Sequence, residues 1–190
     1  MRVNKHLALL FIGAFAALEV SAQNLVLNGS FVTGDFTDWT TSGVAFSVVD
    51  TSGGVNPPIG DSYMAQASGN DTLSQTFETT VGQTYTLSFN NANSSGPNDQ
   101  GGVYLSGSID GTTLFTDYTD LSNTDWLTHT YDFTATSAST TLSLDMNYYN
   151  AQGCGLLDDI SVTTAPEPSP LALSAVGSLG CLLIYRRRKR

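Results

Sequence analysis

Apolar and polar residues alternate with a period of two along most of the chain between residues 23 and 164. In the run Thr84-Tyr85-Thr86-Leu87-Ser88-Phe89, the residues Tyr85, Leu87 and Phe89 share one side and the hydroxyls share the other. Leu127, His129, Tyr131 and Phe133 repeat the pattern, as do Leu142, Leu144 and Met146, and Val103, Leu105 and Ile109. Alternation of this kind predicts strands with one buried and one wet face. Further strands are predicted at 25–27, 45–49, 62–67, 73–77, 114–115 and 159–162, separated by clusters of Gly, Asn, Asp and Ser that favour turns. The Asn-rich stretch 90–100 reads as a solvated loop. No segment here repeats at 3.6 residues, so an all-β fold is expected. About ten short strands with one apolar face each describe an antiparallel β-sandwich of jelly-roll type.

Two apolar runs at the ends break the alternation. Arg2 and Lys5 precede the run 7–18, which is followed by Val20-Ser21-Ala22 with small residues where signal peptidase requires them. Residues 1–22 read as a secretory signal peptide cleaved after Ala22. At the other end, residues 171–185 are apolar and Arg186, Arg187, Arg188, Lys189 and Arg190 follow in a row. As a helix the apolar run spans about 22 Å, short for a bilayer core of about 30 Å but within reach of membrane thinning. The basic run resists translocation and would hold this end on the cytoplasmic side. The expected division is signal peptide 1–22, sandwich domain 23–164 and C-terminal segment 165–190.

The net charge of −10 conceals a separation. All seven Lys and Arg lie in the two terminal segments, whereas residues 23–165 contain 15 Asp and Glu and no Lys or Arg. Such a surface repels phosphate backbones and excludes nucleic acid as a partner. It favours neutral ligands and cations. Cys154 and Cys181 do not form a disulfide framework, since the second lies in the terminal apolar run.

The order Pro166-Glu167-Pro168, short apolar helix, basic terminus resembles the PEP-CTERM sorting signal of Gram-negative bacteria. The resemblance implies recognition by an exosortase, cleavage near Pro168, and delivery to the cell surface or exopolysaccharide matrix after transient membrane anchoring. A plain tail anchor is the alternative. The segments "NLVLNGSFVTGDFTDW", "GQTYTLSFNNAN" and "TDWLTHTYDFTATSASTTLSLDMNYYNAQGCGLLDDISV" resemble the galactose-binding-like jelly rolls, which include many carbohydrate-binding modules. What this implies is a fold more than an activity.

Within "GLLDDISV", a continuous strand would turn Leu156, Asp158, Ile160 and Val162 the same way and carry a carboxylate toward the core. With no Lys or Arg to pair it, Asp158 would need backbone N–H groups, a proton or a bound cation. If the strand begins at Asp159 instead, Asp158 is a solvated loop residue. The resembled family commonly holds a structural Ca2+ between such an Asp and an acidic residue in its opening stretch, an oxygen cage suited to that ion. Val32 stands where that acidic residue would be. Asp35, Asp38, Asp159 or carbonyls near Asn28 could supply oxygens in its place.

Sugar binding calls for an exposed aromatic ring beside amides or carboxylates. Trp39 and Trp126 sit where aromatic side chains seal sandwich ends. Tyr104 and Tyr149 fall out of register with the apolar faces beside them and are the candidates for exposure among Trp39, Tyr104, Tyr118, Trp126, Tyr148 and Tyr149. For catalysis the domain offers His129 as its one histidine, on an apolar face, and no Ser-His-Asp or Cys-His arrangement stands out. The expected function is a secreted, non-enzymatic jelly-roll protein that binds extracellular polysaccharide. A purely structural matrix or adhesion protein and a small glycan-active hydrolase are the alternatives.

Overall fold

The computed structural model describes residues 22–43, 45–94, 102–120, 124–149 and 153–166. Residues 1–21 of the expected signal peptide, Glu167, Pro168, the apolar C-terminal run and the basic end lie outside the described residues, while Pro166 is exposed just beyond the sandwich. The strands are β1 (Thr40–Ser42), β2 (Phe46–Val49), β3 (Met64–Ala67), β4 (Asp71–Glu78), β5 (Thr84–Ser94), β6 (Gly102–Ile109), β7 (Thr112–Asp120), β8 (Leu127–Thr134), β9 (Ser139–Tyr149) and β10 (Cys154–Thr164). They form two five-stranded sheets, β1-β4-β9-β6-β7 and β2-β3-β10-β5-β8, with every pairing antiparallel. β9 and β10, which with β5 are the longest strands, lie at the two centres. The all-β two-sheet sandwich expected from the alternation is what the chain forms.

Alternation puts Leu73 and Phe77 of β4, Leu142, Leu144 and Met146 of β9, Val103 and Leu105 of β6 and Phe115 of β7 on the inner side of the first sheet. Ala65 and Ala67 of β3, Leu157, Ile160 and Val162 of β10, Tyr85, Leu87 and Phe89 of β5 and Phe133 of β8 meet them from the second. Gly107 faces inward so that the Phe115 ring can lie across it, and a Cβ there would fall 2.1 Å from that ring.

Leu25 to Leu27 were expected as a strand but are irregular. One backbone bond, from the Leu25 N–H to the Val162 carbonyl at 2.8 Å, and side-chain amides that imitate a ladder hold them. Asn24 accepts from the Val162 amide at 2.9 Å, and buried Gln75 receives from the Leu27 N–H at 2.8 Å and donates to its carbonyl at 2.9 Å. β1 has no apolar residue and was not foreseen. The first residues of the supposed Asn-rich loop continue β5 through Ser94, with Asn91 and Asn93 buried.

Asp158 lies within β10 and is buried, as a continuous strand would make it, but the facing of its neighbours differs. The strand begins at Cys154, so Asp158 is not a loop residue, and Leu156 does not share a face with Ile160 and Val162. The register slips between Asp158 and Ser161, with Asp159 at φ 52°, which reverses the facing of everything after it. Leu156 packs into a second, smaller cluster with Val55, Met64 and Ala92 on the side turned away from the first sheet. Alternation puts Asp158 on that side too.

Leu144 is fully buried at the centre of the inner face, whereas its neighbour Ser143 points outward. Leu144→Ala is expected to cost about 3 kcal/mol and lower Tm by about 10 °C. Ser143→Ala should stay within about 0.5 kcal/mol. Thermal denaturation of both variants checks the facing, and equal losses would refute it.

Candidate functional site

The outward side of the first sheet is a field of small polar side chains. In cross-strand register, Thr72 of β4 lies beside Asp145 of β9, then Ser106 of β6 and Thr116 of β7. The next row holds Ser74, Ser143 and Ser108, and Thr76 lies beside Thr141. The hydroxyls bond one another across the strands: Thr76 and Thr141 lie 2.8 Å apart, and the Thr72 hydroxyl donates to Asp145 Oδ1 at 2.6 Å. Strands about 4.8 Å apart therefore present donors and acceptors at a regular spacing.

At one end of this field stand two aromatic rings. Tyr104 of β6 pairs in register with Asn147 of β9 and Tyr118 of β7. The two rings lie 4.9 Å apart at 53°, and 44% of Tyr104 and 51% of Tyr118 is open to solvent. Tyr118 reaches its position by lying over Gly102, where a Cβ would come within 2.4 Å of the ring. The exposure expected of Tyr104 is present. Tyr118, an aromatic candidate not singled out for exposure, joins it, and the signal that could have found it is its even spacing from Thr116 on a strand whose inner residue is Phe115. Tyr149 ends β9 opposite Gly102, and its side chain lies outside the described residues. Trp39 packs into the main core and Trp126 against the smaller cluster, with indole N–H groups donating to the Asn28 carbonyl at 3.0 Å and the Asn56 carbonyl at 2.8 Å.

His129 of β8 stacks on Phe89 with ring centroids 5.1 Å apart. Its Nε2 meets Asn91 Oδ1 at 2.7 Å, and its Nδ1 lies 3.5 Å from Asp117 Oδ2, which also accepts the Tyr131 hydroxyl. Burial and the Asp117 carboxylate push the Tyr131 hydroxyl up to about 12. Together these groups tie β7 of one sheet to β5 and β8 of the other.

Asp158 is fully buried. Its Oδ1 accepts from the Asp159 amide at 2.8 Å, whereas Oδ2 has no hydrogen-bond partner among the described residues. Desolvation, then the charges of Asp159 and Asp61, push its carboxyl up to about 8 against the short bond from the Asp159 amide. Asp61, in the segment that precedes β3, is itself raised by burial and by Asp159. Asp159 Oδ2 accepts from the Asn90 amide at 2.8 Å. Asp158, Asp159 and Asp61 repel one another with no Lys or Arg in the domain to offset them, an environment that suits a cation. Among the described residues, however, no group of three or more His, Cys, Asp or Glu is disposed to hold a metal ion, so most of a calcium shell would have to come from carbonyls or water.

A carboxyl that holds its proton more tightly folded than unfolded stabilises the fold at low pH. That contribution is lost as pH rises from about 4 toward about 8. In EDTA, the Tm of Asp158→Asn minus that of the unsubstituted protein is therefore expected to grow steadily from pH 4 to pH 8. A difference independent of pH would contradict the buried acid.

The fold recurs among solved structures. TmCBM61 in complex with β-1,4-galactotriose is 19% identical, with 75% of this chain and 99% of that one covered and a TM-score of 0.60. The CBM22-1 xylan-binding domain of Paenibacillus barcinonensis Xyn10C is 14% identical over 78% of this chain and 98% of its own, with a TM-score of 0.55. A family 16 carbohydrate-binding module is 18% identical over 73% and 99%, with a TM-score of 0.51. At these identities the likeness is one of fold. No curated protein matches the sequence. The family described as protein of unknown function (DUF642) matches residues 19–163, nearly the whole sandwich with its lead-in, and the chain belongs to that family.

Proposed function

We propose that the protein is a non-catalytic glycan-binding module of the cell surface or extracellular matrix, and that it binds polysaccharide on the outward side of the β1-β4-β9-β6-β7 sheet. The observation that carries this reading is the exposed Tyr104–Tyr118 pair at the end of a hydroxyl field that also contains Asp145 and Asn147. Sugar rings stack their apolar faces on aromatic side chains, and their hydroxyls need acceptors and donors alongside. The outward side of the other sheet has polar ladders as well, but the segment 50–63 lies against part of it through Val55 and Met64. The similar solved structures support the reading, since one is described as bound to a galactotriose and another as xylan-binding.

A non-catalytic role fits the engagement of His129 with Asn91, Asp117 and Phe89. Tyr149 extends the aromatic end of the field in this proposal through its register beside Gly102. Delivery runs through the terminal segments: signal peptidase removes residues 1–22, and an exosortase acts at Pro166-Glu167-Pro168 while the apolar run and the residues 186–190 hold the chain at the membrane. A structural Ca2+ at Asp158, with Asp61 as second carboxylate, completes the proposal. It would supply the positive charge that Asp158 Oδ2 lacks.

Retention on immobilised galactan and xylan in affinity electrophoresis tests the binding reading. Tyr104→Ala and Tyr118→Ala are each expected to weaken retention about tenfold with Tm unchanged. Retention by neither polymer nor by immobilised glucosamine polymer, or retention indifferent to both substitutions, would overturn it. Calcium at millimolar concentration should raise Tm relative to EDTA, because a ligand specific to the native state stabilises it. That rise should vanish in Asp158→Asn, and no rise in the unsubstituted protein would remove calcium from the account.

A further inference from the structure

The charge of the domain is one-sided, with 15 acidic residues and no Lys or Arg between Gln23 and Ala165. A polymer bearing carboxylates or sulfates would find no Lys or Arg to pair with on such a surface. On the outward side of the β1-β4-β9-β6-β7 sheet, a carboxylate stands in the middle of the field. Asp145 is half-buried on the central strand, with Thr72 on one side, Ser106 on the other, and Tyr104 one step along β6. The Thr72 hydroxyl donates to its Oδ1, one donor to a group that accepts about four. A neutral sugar could offer it further hydroxyls. An ammonium offers a charge-assisted bond, and the neighbouring Tyr104 and Tyr118 faces attract a cation as well.

We propose that this face selects a glycan with free amino groups, such as a de-N-acetylated hexosamine polymer, and that Asp145 sets the preference. The proposal rests on the reading of the face as a glycan-binding surface and adds to it the chemical class of the ligand. Amines on the 2-position would reach Asp145 while the sugar faces stack on the tyrosines. Uronic acid polymers are excluded.

Four probes test this on the full chain at about pH 5.5 and low salt: a glucosamine hexamer, an N-acetylglucosamine hexamer, galactan and polygalacturonate. The glucosamine hexamer is expected to bind about tenfold more tightly than its acetylated counterpart, a preference that shrinks as salt is raised from about 50 to 300 mM. Asp145→Asn should reduce the preference to about twofold, because it removes the charge and retains an acceptor for Thr72. Asp132→Asn is the matched control. Asp132 accepts the Thr86 hydroxyl at 2.7 Å on the outward side of the other sheet, in the same carboxylate–threonine arrangement. It should leave the preference intact.

Equal affinity for the two hexamers together with binding of galactan would overturn the amino-sugar proposal and leave the glycan reading standing. So would tighter binding of polygalacturonate. Equal losses from Asp145→Asn and Asp132→Asn would overturn the role of Asp145, leaving attraction by the whole domain as the cause. No binding of any of the four probes would overturn both readings together.

Discussion

Exclusion of water between two sheets is the constraint on which the remaining structure depends. Leu142, Leu144 and Met146 of β9 and Leu157, Ile160 and Val162 of β10 meet along the middle of the sandwich, and each occupies a place that a polar residue would disrupt. Because the side-chain period is two, burying one face commits every intervening residue to the other. The hydroxyl field on the first sheet is therefore the complement of the core and is held as rigidly as the core is. A ligand surface built this way needs few loops to position it.

The domain accomplishes this without a Lys or Arg. Its buried polar groups rely on hydrogen bonds from the backbone and from side-chain amides. Gln75 and Asn24 substitute for a missing strand ladder at the opening segment, and Asp71 accepts the Ala45 and Gly69 amides at 3.1 Å each. Among the described residues Asp158 departs from this, because only one of its oxygens receives such a bond. The β10 bulge that places it there also reverses the strand, so that Leu156 serves the small cluster beneath the segment 50–63 while Ile160 and Val162 serve the main core. One irregularity thus lets a central strand contribute to two apolar clusters on opposite sides.

Much of this was legible from alternation alone. The central runs of β4, β5, β6, β8 and β9 could be placed because one face of each is apolar, and the exposure of Tyr104 followed from its being out of phase with Val103 and Leu105. What alternation could not convey was a change of phase. The bulge at Asp159 appears in the sequence only as an Asp-Asp pair, and a period-two reading carried across it assigned Leu156 to the wrong cluster. β1 escaped notice because Thr40, Thr41 and Ser42 are all exposed and its pairing is set by β4. Residues 25–27 looked like a strand since their apolar residues are indeed buried or half-buried in part, but long-range amide contacts hold them. Asn91 and Asn93 looked like loop residues by composition, although tertiary pairing with β10 holds them in a strand. The even spacing of Tyr118 from Thr116 carried its exposure, but not its support by Gly102, a contact 16 residues away in sequence.

The central claim, that the outward side of the β1-β4-β9-β6-β7 sheet is the ligand surface, is tested most directly by backbone amide NMR during titration with a bound oligosaccharide. The shifts are expected on β6, β7 and β9 around Tyr104, Tyr118 and Asp145, with β5 and β8 unchanged. Shifts confined to β5 and β8, or to the gap between β7 and β8 around His129, would contradict it.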